Sequence, residues 1–233
     1  MLIFAHRGAS AIAPENTLAA FHVACASNCD GVEFDIQHLD SKFIVFHDRY
    51  LERTTSGNGL VVEHSFEQIR QLDAGNGERI ATLDEVLTIV ANQKVINIEL
   101  KSIAIDDLPL LFQHLDNAKI NLKINNNQLL LSSFNHQLLQ VIKQQRPELS
   151  LGALTASLPL NNAEFAQRLH AYSANIVLEY VTQEFVDDAH QRGLKVYVYT
   201  VDNLKDIKML QAMGVDGIFS NNPDQAKTFL QQS

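Results

Sequence analysis

The chain has 233 residues, 46% of them hydrophobic, and a formal net charge of −9. This length suits one domain or two with a sizeable core, and it also suits a single α/β barrel, which usually needs about 250 residues. The acidic balance argues against a nucleic-acid-binding protein, which would usually carry a basic face. It leaves open an anionic small-molecule ligand, because the charge around one pocket can oppose the charge of the whole.

Short apolar runs alternate with helical patterns along the chain. A helix is expected to start near Thr17, after the first strand, and a polar loop, RTTSGNG, follows the third. No basic stretch leads into an apolar signal segment, and no apolar run is long enough to span a bilayer, so we expect a cytoplasmic protein without stable membrane insertion. The predicted strands are Leu2–Ala5, Gly31–Gln37, Phe43–Asp48, Val95–Leu100, Gln128–Phe134, Leu149–Thr155, Asn175–Tyr180, Lys195–Val201 and Asp216–Asn221.

This order repeats a strand and a helix about eight times, at roughly 29 residues per unit. The strands show little strict alternation, as expected of a parallel sheet covered by helices. An open doubly wound sheet would normally carry a glycine-rich fingerprint after its first strand, and HRGAS does not match one. We therefore predict one domain over residues 1–233, a single (β/α)8 TIM barrel with a small insertion after strand 2.

Three acidic residues lie at the ends of predicted strands, where barrel active sites are built. Glu33 and Asp35 are two residues apart on a strand, which puts both side chains on one face, and Glu99 is on the next barrel strand. Buried carboxylates at one rim repel each other unless a cation compensates, and oxygen ligands suit Mg²⁺ or Ca²⁺. The alternative is a structural ion pair between Glu33 and Lys101 or Arg7.

Two histidines and an arginine also lie at strand ends. His6 and His47 can flank one pocket, where one imidazole takes a proton while the other gives one. Arg7 offers a fork of donors suited to two phosphate oxygens, and Gly8 lets the backbone approach a ligand. A cation, an arginine and two imidazoles around one point indicate phosphoryl chemistry.

The sequence closely resembles the glycerophosphodiester phosphodiesterase family, of the bacterial cytoplasmic type. Each motif alone would be weak, but together they span the chain in the family's order. The matching segments are AHRGAS, PENT, GVEFDIQ, FHD, LERTTSGNG, LDEVL, NIELK, SSF, VYTVDN and GVDGIFSNNPD. The resemblance implies a barrel that uses a divalent cation to hydrolyse glycerophosphodiesters, the deacylated phospholipid head groups, to sn-glycerol 3-phosphate and an alcohol, within glycerophospholipid catabolism.

The resemblance also implies roles for individual residues. The acid/base pair is His6 and His47; Arg7 and Lys101 lie at the phosphate, and the metal ligands are Glu33, Asp35 and Glu99. In the family the reaction is thought able to pass through a cyclic phosphate, with the glycerol 2-hydroxyl as nucleophile.

Three segments depart from the family pattern, one of which is the region between LDAG and ERIATL, where only Asn76 and Gly77 stand and a more open pocket is expected. Tyr199 stands where the family commonly has Trp and still suits the lining of the substrate pocket. The usual Thr-Asp-x-Pro after the last strand reads Ser220, Asn221, Asn222 and Pro223.

Other functions stay open on the same barrel. A lysophospholipase-D-like or sphingomyelinase-D-like lipid phosphodiesterase would need apolar exposed loops near the barrel mouth, and we predict none because RTTSGNG is polar. A non-enzymatic phosphodiester-binding protein would lack a catalytic histidine, and an aldolase-type barrel would use Lys101 as a Schiff-base amine. The expected partner is a small glycerophosphodiester with no nucleic acid, and a homodimer remains open.

Overall fold

Nine strands and nine α-helices alternate along residues 1–231, the part of the chain that the computed structural model describes. The strands are β1 (Leu2–His6), β2 (Gly31–Leu39), β3 (Lys42–Val45), β4 (Val95–Leu100), β5 (Leu129–Ser133), β6 (Ser150–Thr155), β7 (Ser173–Val177), β8 (Lys195–Tyr199) and β9 (Gly217–Ser220). The helices are α1 (Leu18–Ala26), α2 (Phe66–Ile69), α3 (Leu83–Val90), α4 (Leu108–Leu122), α5 (His136–Gln145), α6 (Glu164–Arg168), α7 (Gln183–Gln191), α8 (Leu204–Ala212) and α9 (Pro223–Gln231).

Eight of the strands close into a parallel barrel. The sheet order is β1-β9-β8-β7-β6-β5-β4-β2-β3, and a further pairing of β1 with β2 joins the ends. The remaining strand, β3, is antiparallel to β2 and lies outside the ring. The predicted (β/α)8 barrel with an insertion after its second strand is therefore confirmed. Within residues 1–231 no helix is both long and apolar enough to cross a bilayer.

The third strand is shorter than predicted, because it pairs only with the part of β2 that extends beyond the barrel rim. β1 occupies the lower part of that edge of β2, up to the pair His6↔Glu33. β3 takes over at Ile36↔Val45, and the chain then leaves the sheet. The segment around His47 is therefore a loop across the mouth rather than the end of a strand.

The helices start where side-chain caps satisfy their first amide groups. Thr17 accepts a hydrogen bond from the amide of Ala20, which confirms the predicted start of α1. Thr82 and Glu85 form a reciprocal capping box at the start of α3. Apolar faces of these helices pack against the outside of the strands and form the main core.

Two smaller apolar clusters support the site. Phe4, Leu130, Tyr197 and Phe219 come from strands on different sides of the ring and fill the barrel interior. The insertion, residues 40–82, has a separate core around Leu51, built from apolar residues of β2, β3, α2 and the segments that adjoin them: Leu39, Ile44, Phe46, Val61, Ile69, Ala74 and Ile80. The insertion is thus a separately packed unit on the rim.

Candidate active site

A cleft of about 130 Å³ opens at the carboxyl end of the barrel strands. It is lined by seven of the eight predicted site residues: His6, Arg7, Glu33, His47, Glu99, Lys101 and Tyr199. The eighth, Asp35, lies just behind this wall with only 1% of its side chain exposed. The structure therefore brings all eight predicted residues together.

Glu33, Asp35 and Glu99 each offer a carboxylate oxygen, and these oxygens lie within 4.8 Å of one another. The strand register explains this placement, because Asp35 of β2 is paired with Glu99 of β4, and Glu33 points to the same face as Asp35. Asp35 Oδ1 is buried and accepts no hydrogen bond, and Lys101 Nζ lies 3.4 Å away. An orphaned carboxylate oxygen that faces two other carboxylates fits the donor set of a hard divalent cation.

The three carboxylates do not ionise equally. Burial, followed by repulsion from Asp35 and Glu99, raises the pKa of Glu33 well above its usual range. Burial and Asp35 likewise raise the pKa of Glu99 to about 7. Burial would also raise the pKa of Asp35, but the charges of Lys101 and Arg7 lower it. Such mutual repulsion is what a bound cation would relieve.

Arg7 and Lys101 surround the carboxylates from two sides. Arg7 follows β1 with φ 55°, and its backbone amide donates to Glu33 Oε2 at 2.9 Å. Its Nε lies 3.4 Å from Asp35 Oδ2, and Nη1 donates to Glu15 Oε1 at 2.8 Å. Lys101 Nζ is 2.5 Å from Glu99 Oε1. Both cations are therefore fixed beside the carboxylate cluster.

His6 is oriented by the residue that follows β9, the neighbour of β1 in the barrel. Its Nδ1 lies 2.8 Å from Oδ1 of Asn221, the residue after β9. Asn221 is held in turn by Asp202, which accepts hydrogen bonds from its backbone amide and its Nδ2. Burial, and then the charge of Arg7, lowers the pKa of His6 to about 4.

His47 is held by the insertion. Its Nδ1 lies 2.5 Å from Asp48 Oδ1. Gln37 of β2 fixes the backbone on both sides, because its Nε2 donates to the carbonyl oxygens of Phe46 at 3.0 Å and Asp48 at 2.7 Å. Burial lowers the pKa of His47, and the nearby charge of Asp35 acts in the opposite direction.

The glycerophosphoryl diester phosphodiesterase family model matches residues 6–225, a range that contains all eight site residues. The chain belongs to the glycerophosphoryl diester phosphodiesterase family. It is accordingly a phosphoric diester hydrolase. This confirms the family predicted from the motifs and excludes the aldolase-type barrel.

Several relatives of known name align along nearly the whole chain. A glycerophosphodiester phosphodiesterase from Caldanaerobacter subterraneus is 35% identical over 232 residues, which cover 96% of this chain and 95% of the relative. Another from Bacillus altitudinis is 34% identical, with 96% of each chain covered. A phosphodiesterase of Oleispira antarctica, solved in complex with the product sn-glycerol-3-phosphate, has a TM-score of 0.90 and 29% identity, with 99% of this chain and 97% of that chain covered.

Some members of this phosphodiesterase's site were not singled out as functional residues from the sequence. Asn16 donates from Nδ2 to Asp35 Oδ2 at 2.9 Å, and Gln37, Asp48 and Asn221 orient the imidazoles. All four fall inside the quoted family motifs, which was the available signal. Asn97, Ser132, Phe134, Leu154, Thr200 and Phe219 complete the cleft lining.

Tyr199 lines the same cleft as the carboxylates. Its hydroxyl donates to the carbonyl oxygen of Thr155 at 2.8 Å, so the ring is fixed. Phe134 meets this ring edge-on at 6.1 Å and is 45% exposed. The two rings give the phosphodiesterase cleft an apolar patch beside its charged groups, since Lys101 Nζ lies 5.6 Å from the centre of the Phe134 ring.

Proposed function

We propose that this phosphodiesterase hydrolyses glycerophosphodiesters to sn-glycerol 3-phosphate and an alcohol, with a divalent cation, Mg²⁺ or Ca²⁺, held by Glu33, Asp35 and Glu99. The observation that carries the proposal is the cluster of three carboxylate oxygens within 4.8 Å beside two imidazoles in one cleft. The cation would stabilise negative charge on phosphate oxygens that develops during the reaction. The product bound to the Oleispira antarctica relative supports the assignment of the substrate.

Residues of the cleft orient the phosphate and transfer protons. Arg7 and Lys101 orient the phosphate from two sides, which keeps its phosphorus atom between the imidazoles. The glycerol 2-hydroxyl attacks phosphorus and loses its proton to one imidazole, while the other imidazole gives a proton to the departing alcohol oxygen. Water then opens the cyclic phosphate with the same two groups in reversed roles. His6 and His47 are the acid/base pair in both halves.

The experiment is a hydrolysis assay with the metal removed and added back. Activity on glycerophosphocholine, glycerophosphoethanolamine and glycerophosphoinositol should disappear in excess chelator and return with Mg²⁺ or Ca²⁺. Glu99→Gln should lower kcat/KM by at least about 100-fold even with the cation present, because a carboxylate ligand is lost. Exposed Glu67 of α2 provides the control, Glu67→Gln, which should behave as wild type. Full activity in excess chelator would refute the cation's role.

A lipid substrate is a second candidate, and one observation favours it. The prediction that the mouth lacks exposed apolar loops is wrong, because Ile12, Phe134, Leu158 and Leu160 are 57%, 45%, 43% and 103% exposed on loops that follow β1, β5 and β6. Apolar groups on this rim suit contact with acyl chains. Lysophosphatidylcholine in the same assay separates the candidates: faster release of choline from it than from glycerophosphocholine would favour a lysophospholipase-D-like enzyme.

A further inference from the structure

Two charged residues of the matched motifs have no role in the proposed reaction. Glu15 belongs to PENT, in the loop between β1 and α1, and Arg53 belongs to LERTTSGNG, in the insertion. They are distant in sequence but form a bidentate pair, because Arg53 Nη1 and Nη2 donate to the two carboxylate oxygens of Glu15, each at 2.7 Å. The pair connects the insertion to the barrel rim.

Each partner also contacts a group that holds a reactive side chain. Arg53 Nε donates at 2.5 Å to Oδ2 of Asp48, whose other oxygen meets Nδ1 of His47. Glu15 Oε1 accepts from Nη1 of Arg7 at 2.8 Å. One guanidinium therefore stands in the middle of an unbroken chain of five side chains that runs from His47 to Arg7.

This chain of five side chains requires an arginine at its centre. The planar fork presents Nε to one carboxylate and both Nη atoms to another, and an ammonium group could not hold both in fixed directions. Glu15 and Asp48 are each only about one-fifth exposed, whereas Arg53 is 49% exposed. Arg53 thus reaches in from the surface to two largely buried carboxylates.

We propose that Arg53 is a positioning residue that sets the orientation of His47 through Asp48 and that of Arg7 through Glu15, and so links the proton-transfer group to the phosphate clamp. This inference rests on the proposed function. It gives the LERTTSGNG segment a part in orienting the reactive groups although Arg53 does not itself touch the substrate.

The ionisation of the two carboxylates agrees with a positioning role for Arg53. Burial would raise the pKa of Asp48, but hydrogen bonds from Arg53 and His47 lower it to about 2. Burial would raise the pKa of Glu15 as well, and Arg53 and Arg7 lower it. Both carboxylates therefore stay ionised at neutral pH and keep their hold on the groups they orient.

The test uses steady-state kinetics on glycerophosphocholine with the metal-loaded enzyme. It separates the effect of Arg53 on Asp48 and His47 from its effect on Glu15 and Arg7. Asp48→Asn should mainly lower kcat, because it disturbs the proton-transfer group, and Glu15→Gln should raise KM more than it lowers kcat, because it loosens the phosphate clamp. Arg53→Ala should do both, with a loss in kcat/KM of about 10- to 100-fold. Arg53→Lys should recover only part of it, and added millimolar guanidinium should raise the activity of Arg53→Ala but not that of wild type.

Arg168→Ala is the matched control, because Arg168 forms an exposed ion pair with Glu164 on α6, away from the cleft. It should leave kcat and KM unchanged. Wild-type kinetics in Arg53→Ala, or a loss that merely follows the folded fraction measured by circular dichroism, would overturn the inference. If Arg53→Ala does not fold, Arg53→Lys decides in its place: kcat and KM both equal to wild type would overturn the inference. An inactive wild-type enzyme would instead refute the proposed function.

Discussion

At the scale of single residues, the site holds its two imidazoles with different partners. The neutral amide of Asn221 holds His6, and the carboxylate of Asp48 holds His47. A carboxylate stabilises an imidazolium and an amide does so far less, so the two rings respond differently when a proton arrives. With a pKa lowered to about 4, His6 is neutral near pH 7 in the free protein.

Removing either imidazole should stop turnover without unfolding the protein. We expect His6→Ala and His47→Ala each to lower kcat by about 10²- to 10⁴-fold, the usual contribution of general acid–base catalysis. The measurement is the initial rate of hydrolysis of glycerophosphocholine at saturating cation. His22→Ala, an exposed histidine on α1, is the control and should keep full activity.

The two variants are informative only if they fold. Thermal unfolding should give each a midpoint close to that of wild type, because both rings border the open cleft. A folded His6→Ala or His47→Ala enzyme with near-normal kcat would remove that residue from the acid/base pair.

At the scale of elements, the tip of β1 is turned by two consecutive residues with positive φ, Arg7 at 55° and Gly8 at 76°. This turn sends the amide of Arg7 toward Glu33 and brings the backbone onto α1. A Cβ added at Gly8 would lie 2.8 Å from backbone and side-chain atoms of Ala20. The glycine is therefore required by both backbone conformation and contact, and the close approach is to α1 rather than to a ligand, for which the sequence had suggested it.

Gly8→Ala should consequently destabilise the fold more than an ordinary positive-φ substitution. Gly77 has a φ of 81° and nothing within 4 Å of an added Cβ, so Gly77→Ala measures the conformational cost alone, about 1 kcal/mol. The clash with Ala20 should add at least about 1–3 kcal/mol in Gly8→Ala. Urea unfolding of both variants gives the difference, and equal free energies of unfolding would contradict the packing argument.

Strand positions were predictable because each strand is an apolar run that ends in polar residues, and this pattern can be read from the local sequence. The presence of all nine strands follows from such runs, and Glu33 and Asp35 share a face because side chains alternate along any strand. The end of β3 was not predictable, since it depends on where β1 stops along the edge of β2. Local sequence does not determine which strand pairs with a given edge of β2.

At the scale of the whole molecule, two of the contacts that the sequence did not predict join distant segments. Asn221 and His6 are 215 residues apart, and Arg53 and Glu15 are 38 apart. Each residue stood in a recognised motif, but a motif does not state its partner. Closure of the barrel supplies the first pairing, and docking of the insertion supplies the second.

Without a cation, the contribution of Glu99 to the stability of the fold should fall as pH rises from about 4.5 to 7. The pKa of Glu99 is about 7 in the folded protein against 4.5 ordinarily, so over this interval the folded state binds the extra proton. The contribution of this group is greatest below pH 4.5 and decreases through the interval by on the order of 3 kcal/mol, whereas the lowered pKa of His6, about 4 against 6.5, acts in the opposite direction. A divalent cation should reverse most of the loss, because it binds only the folded site.

Urea unfolding in chelator at several pH values, for wild type and Glu99→Gln, measures this effect. The amide cannot ionise, so the variant should lose less stability than wild type across the interval. If the free energy of unfolding changed with pH in the same way in the two proteins, the raised pKa of Glu99 would be refuted. If Mg²⁺ or Ca²⁺ did not stabilise the protein at pH 7, that would argue against a cation site.

The seam where β1 meets β9 has a consequence for how the enzyme is made. Asn221 follows His6 by 215 positions, so the ribosome adds it only after β2 to β9. A growing chain can therefore complete the carboxylate cluster on β2 and β4 long before His6 acquires its oriented partner. His6 is thus oriented by Asn221 only in a polypeptide whose β1 and β9 have paired.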